Sequence, residues 1–72
     1  MITKEQLHES YYTSKAADEK FQKALEAEYA NKADDMRYRF NELPEHIKEL
    51  ALAYRETVKD SRILYRQYLK EH

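Results

Sequence analysis

One proline and no glycine interrupt the 72 residues. That scarcity of backbone breakers constrains the fold more than any other feature. Glycine supplies the positive-φ conformations of tight turns, and proline stops helices. A chain with almost none of either is suited to long, uninterrupted helices. Ala, Leu, Glu, Lys, Gln and Arg, the strong helix formers, dominate the remainder.

The first helix announces its start. Thr3-Lys4-Glu5-Gln6 has capping-box spacing, with Ile2 placed just before it for a hydrophobic staple on Leu7. On a wheel of about 100° per residue, Leu7, Tyr11, Ser14, Ala17, Phe21, Leu25 and Tyr29 share one arc. Lys4, Glu5, Glu9, Lys15, Glu19, Lys20, Lys23 and Glu26 lie elsewhere. The segment Asn31-Lys32-Ala33-Asp34-Asp35 weakens this helix without a hard stop, so it is predicted over about residues 3–34.

Pro44 sets the second start. Proline disfavours helix in the residue before it and fits a first helical turn. Glu42 and Glu45 suit the positive end of the helix dipole. From there Leu43, Ile47, Leu50, Ala51, Tyr54, Val58, Ser61, Leu64, Tyr65, Tyr68 and Leu69 form a second stripe, predicting a helix over about residues 43–70. The fold class is therefore all-α: one helical domain, residues 1–72, as two long antiparallel helices in a hairpin. The connector, residues 32–42, has room for a short third helical turn, and a packed helix over 32–40 is an alternative way to close the core. Folding back sets Leu7 opposite Tyr68, Tyr11 opposite Leu64 and Tyr65, Phe21 opposite Tyr54, and Ser14 opposite Ser61.

Both stripes are wider than one neighbour covers, and small domains are marginal alone. With zero cysteines, disulfides and thiolate zinc sites are excluded. A homodimer forming a four-helix bundle is the expected remedy. Leu52 and Ile63, on the back of the second helix, read either as scattered surface apolars or as a partner face.

Composition narrows the function classes. Hydrophobic residues are 42% and charged residues 38%, too apolar for a disordered chain and too charged for a membrane span. The net charge is −1, from 13 Lys+Arg against 14 Asp+Glu, so the chain is neither polybasic nor strongly acidic. No apolar run has the length of a signal or membrane segment, and a cytoplasmic protein is expected. Catalysis has no visible support: there is no Cys nucleophile, no Gly-rich phosphate loop and no HExxH. His8, His46 and His72 are scattered, and Glu5-x-x-His8 is a single pair where a di-metal bundle needs several inward carboxylates. No enzymatic activity, cofactor or metal is expected.

The clearest pattern outside the core is a basic row on the second helix. Arg55, Lys59, Arg62 and Arg66, with Lys48 and Lys70, occupy one sector, and Glu45, Glu49, Glu56 and Asp60 the next. Arg55/Lys59 and Arg62/Arg66 are like-charge i,i+4 pairs, mildly destabilising in isolation. Either Glu19 and Glu26 of the first helix supply counter-charge, or the row serves an acidic partner surface. A second candidate is Arg37-Tyr38-Arg39-Phe40, which interleaves cations with aromatics as single-strand binders do. Its plain structural reading is that Tyr38 and Phe40 cap the bundle end while the arginines pair with Asp34 and Asp35. The candidate partner-binding residues are thus Arg55, Lys59, Arg62, Arg66, Leu52, Ile63, Arg37, Tyr38 and Arg39. The expected role is a small helical protein-interaction module or regulator. An oligomeric nucleic-acid-binding regulator using the basic row is the alternative.

Overall fold

The computed structural model describes residues 1–72 and is all-α, a helical hairpin. Helix α1 spans Lys4–Tyr29, α2 is a single turn over Ala33–Met36, and α3 spans Glu45–Glu71. Two 3-10 turns, Ala30–Lys32 and Phe40–Glu42, flank α2. At about 1.5 Å per residue, α1 and α3 each run nearly the full length of a molecule 43 × 19 × 18 Å in extent.

The helix starts follow from local chemistry. Thr3 closes the capping box: its hydroxyl accepts from the Gln6 N–H at 3.2 Å, and the Gln6 side chain accepts from the Thr3 N–H at 2.8 Å. At the other start, Leu43 is extended, as a residue preceding proline must be, and Pro44 carries the first carbonyl of α3. That carbonyl accepts from Ile47 at 3.0 Å and Lys48 at 2.9 Å. The extended backbone at Leu43 also aims its side chain inward, where it is buried.

Helix α1 stops at Tyr29, some five residues before its expected end. Ala30 adopts φ 51° and ψ −118°, outside the regions that residues with a Cβ prefer. Its N–H still bonds the Glu26 carbonyl, so the last turn is closed before the chain swerves. The swerve lets α2 fold under the hairpin, with Asp34 and Asp35 at its positive end. The connector therefore holds the short helical turn anticipated there.

The core is a cluster of Phe21, Leu25, Ala33, Leu43, Ile47 and Ala51. Leu25 and Ile47 are 0% exposed. Full burial of such side chains stabilises by about 1.5–3 kcal/mol each. All three helices meet here, and Leu50, Tyr54, Met36 and Phe40 pack around the cluster. Only this end of the hairpin, nearest the connector, has a buried centre.

Towards the chain termini the packing thins. Ile2 is buried, and its N–H donates to Glu71 Oε2 at 2.8 Å, tying the ends together. Tyr11, Tyr65 and Leu69, expected inside, are each more than half exposed. Leu64 and Tyr68, on the same predicted stripe, are partly buried as expected. The sector of α3 that meets α1 therefore turns along the helix, from the Ile47–Ala51 side to the Leu64–Tyr68 side. Ile47 and Tyr68 are three heptads apart, and a seven-residue repeat falls about 20° behind on a straight helix, so keeping both against α1 requires the helices to wind around each other by about 60°. The facing register also departs from expectation. Ser14 Oγ lies 3.3 Å from Thr57 Oγ1, one turn short of Ser61. Thr57 gives its own proton to the Tyr54 carbonyl at 2.6 Å, so the Ser14 hydroxyl is the donor between the two.

Candidate partner-binding face

Spacings of three and four residues put Arg55, Lys59, Arg62 and Arg66 on one flank of α3. All four are exposed. None has a carboxylate within ion-pair distance; the ion pairs of the molecule are Arg37–Asp18, Arg39–Asp35 and Arg39–Glu42. Glu19 and Glu26 thus do not deliver counter-charge to the row. Arg55 is steadied differently, its guanidinium 4.5 Å from the centre of the Phe40 ring, with Lys48 Nζ at 5.8 Å from the same ring. The acidic residues Glu49, Glu56 and Asp60 are also exposed and lie on the next sector of the helix.

Beside the row, a groove of about 420 Å³ runs between the two long helices near their open end. Its α1 wall is Leu7, Tyr11 and Ser14, and its α3 wall is Val58, Ser61 and Tyr65, with Arg62 and Arg66 along the edge. Ser14 and Ser61 are the small residues among the groove's walls. The hollow is their consequence. The Tyr11 ring meets Tyr12 edge-on at 5.5 Å, so two aromatic rings stand on the α1 side of this face. Leu52 and Ile63 are each 52% exposed. Ile63 borders the flank shared with Tyr54, Val58 and the basic row.

The connector does not present Arg37, Tyr38 and Arg39 as one patch. Arg37 is turned inward. It ion-pairs with Asp18, donates to Gln22 Oε1 at 2.8 Å, and lies over the rings of Phe21 and Tyr54 at 5.1 and 5.5 Å. Gln22 in turn donates to Asp34 at 3.2 Å and Glu26 at 3.3 Å, joining the connector to α1. Burial alone lowers the Arg37 pKa, but the hydrogen bond and charge of Asp18 outweigh it, so the pKa is raised. Arg37 is a structural clamp in this fold. Arg39 is exposed and shared between Asp35 at 3.2 Å and Glu42 at 3.6 Å. Tyr38 is 84% exposed and stands alone.

The groove residues Leu7, Tyr11, Ser14, Ser61 and Tyr65 escaped the sequence reading because their spacing assigns them to the core stripes. The signal that pointed to them was the serine pair, level in the expected register but offset by one turn in the structure, where Ser14 meets Thr57. No three His, Asp or Glu side chains converge on a point that would hold a metal ion. No helix is long and apolar enough to cross a membrane. The fold and this face define a small all-α helical hairpin with a cationic edge along a tyrosine-lined groove. Comparison of the chain with protein-family models, curated proteins and solved structures gives no match.

Proposed function

We propose that this chain is a non-catalytic protein-interaction module, a small cytoplasmic regulator that binds an acidic surface on another protein. The observation that carries this reading is the unpaired row Arg55, Lys59, Arg62 and Arg66 running beside an apolar groove. Like charges at i,i+4 cost a helix about 0.2–0.5 kcal/mol per pair, and an anionic partner relieves that cost. Tyr and Arg, the residues concentrated here, are favoured where interfaces carry their binding energy.

The test is affinity capture from the source cells with the intact chain and with Arg62→Glu/Arg66→Glu. The variant is expected to keep its helical circular dichroism and to lose a salt-eluted protein. Equal capture by both chains removes the basic row from binding and overturns the reading, and recovery of nucleic acid alone by the intact chain overturns it in favour of a nucleic-acid-binding regulator.

Self-association is a second reading, favoured by the exposed Tyr11, Tyr65 and Leu69 at the thinly packed end. A second copy covering them makes a four-helix bundle, with each chain as one helical domain. Sedimentation analysis at high micromolar concentration tests it. A compact monomer removes it.

A further inference from the structure

The geometry points to an acidic amphipathic helix of another protein as the occupant of the Tyr11–Tyr65 groove. This rests on the interaction-module reading and gives its partner a shape. The α1 wall runs from Leu7 to Ser14 and the α3 wall from Val58 to Tyr65, seven residues apart in each case. Seven residues of helix extend about 10 Å, or two turns. A helix laid along the groove offers apolar side chains at i, i+3 or i+4, and i+7 over that distance. Ser61, midway along the α3 wall, leaves room for the central one where a larger stripe residue would otherwise stand.

Charge decides which helix fits. Arg62 and Arg66 edge the α3 side, and Lys15 borders the adjoining recess on the α1 side. The one carboxylate in that recess, Asp18, is already bound by Arg37. Both flanks of an occupant therefore face cations, which calls for Asp or Glu on each side of its apolar stripe. Two competitors fit less well. A second copy that sets α3 against α3 brings the same basic row onto itself, and like charges across an interface oppose binding. Nucleic acid gains little from an aliphatic floor of Leu7 and Val58, and Glu49, Glu56 and Asp60 bound the cationic strip on its far side.

The experiment titrates the full, isotope-labelled chain with synthetic helical peptides of about 16 residues. One series carries Leu at i, i+4 and i+7 with Glu on both flanks. Controls are the same composition in shuffled order, the Lys-for-Glu version, and a single-stranded oligonucleotide. The acidic amphipathic series is expected to bind about tenfold or more tighter than the shuffled control, shifting the amides of Leu7, Tyr11, Ser61 and Tyr65. Arg62→Glu/Arg66→Glu is expected to lose that margin. So is Ser61→Phe, which fills the hollow, with helicity retained in both variants. Tighter binding of the oligonucleotide at the same amides overturns the occupant but leaves a binding face. So does a concentration-dependent dimer that masks them. If no peptide, oligonucleotide or second copy perturbs these amides, the occupant and the interaction-module reading fail together.

Discussion

The guanidinium of Arg37 lies 5.1 Å from the centre of the Phe21 ring while its Nη2 is bound to Asp18. One side chain from the connector thus touches the apolar centre and a charged group of α1 at once. Gln22 and Tyr54 complete its surroundings. The bend of the hairpin is fastened by this residue as much as by apolar packing.

Replacing Arg37 is therefore expected to destabilise the fold although the residue is not fully buried. Arg37→Met keeps the packing and loses the charge, at a cost of about 1–3 kcal/mol in urea unfolding. Arg39→Met, whose ion pairs are exposed, is expected to cost about 0–1 kcal/mol. Equal effects would show that Arg37 does not clamp the bend.

The same residue sets an expectation for pH. A cation whose pKa is raised on folding contributes stability below its unfolded value and loses it only as pH climbs through the folded value. For Arg37 that window lies in strongly alkaline solution. Unfolding free energies of the wild type and Arg37→Met should therefore run parallel from about pH 6 to 9. Convergence of the two curves inside that range would show that another titrating group controls the clamp.

Ala30→Gly is expected to stabilise the chain by about 1 kcal/mol, read as a rise in thermal midpoint. Ala30 holds a positive φ that glycine reaches without steric penalty. Glycine's greater freedom in the unfolded chain offsets part of the gain. A lower midpoint would mean that the swerve at residue 30 is not strained.

The two ends of the hairpin should respond unequally to truncation. Leu25→Ala and Ile47→Ala are expected to cost about 2–5 kcal/mol each, comparable with the whole stability of a small domain. Tyr65→Ala and Leu69→Ala, with over half their surface already exposed, should cost about 1 kcal/mol or less. Chemical denaturation followed by circular dichroism compares them directly.

Charge reversal on α3 separates folding from binding. Arg62→Glu places an acid among Lys59 and Arg66 at favourable spacing, and should raise helix stability by a few tenths of a kcal/mol at low salt. Added salt should erase that gain as the Debye length falls from about 30 Å to about 3 Å. If the substitution weakens the fold, the row is engaged within the chain after all.

Much of the architecture was legible in spacing alone. The Thr3–Gln6 box, the pre-proline entry at Leu43 and the inward face of Ile47 and Ala51 each follow from local rules, and each is present. Leu52 and Ile63 lie outside as their wheel positions required. What spacing did not convey was direction in three dimensions. No periodic signal marks Ala30 as the point of departure, because alanine carries no turn signature. Nor does a helical wheel reveal that Arg37 reaches back to Asp18, nineteen residues away. The exposure of Tyr65 and Leu69 was hidden for a related reason: a wheel assigns one facing direction to the whole helix, whereas neighbours in space rotate past each other.

Cohesion concentrated at the bend gives this molecule the mechanics of tweezers. The arms are long helices, the pivot is fastened, and the tips are joined by Ile2, buried and bonded to Glu71, and by the partly buried Leu7, Leu64 and Tyr68. Spreading the tips disturbs few packed atoms, so amide exchange should be fastest there and slowest around Leu25 and Ile47. An occupant bridging the two tips is expected to hold the cleft at one width and to slow that exchange.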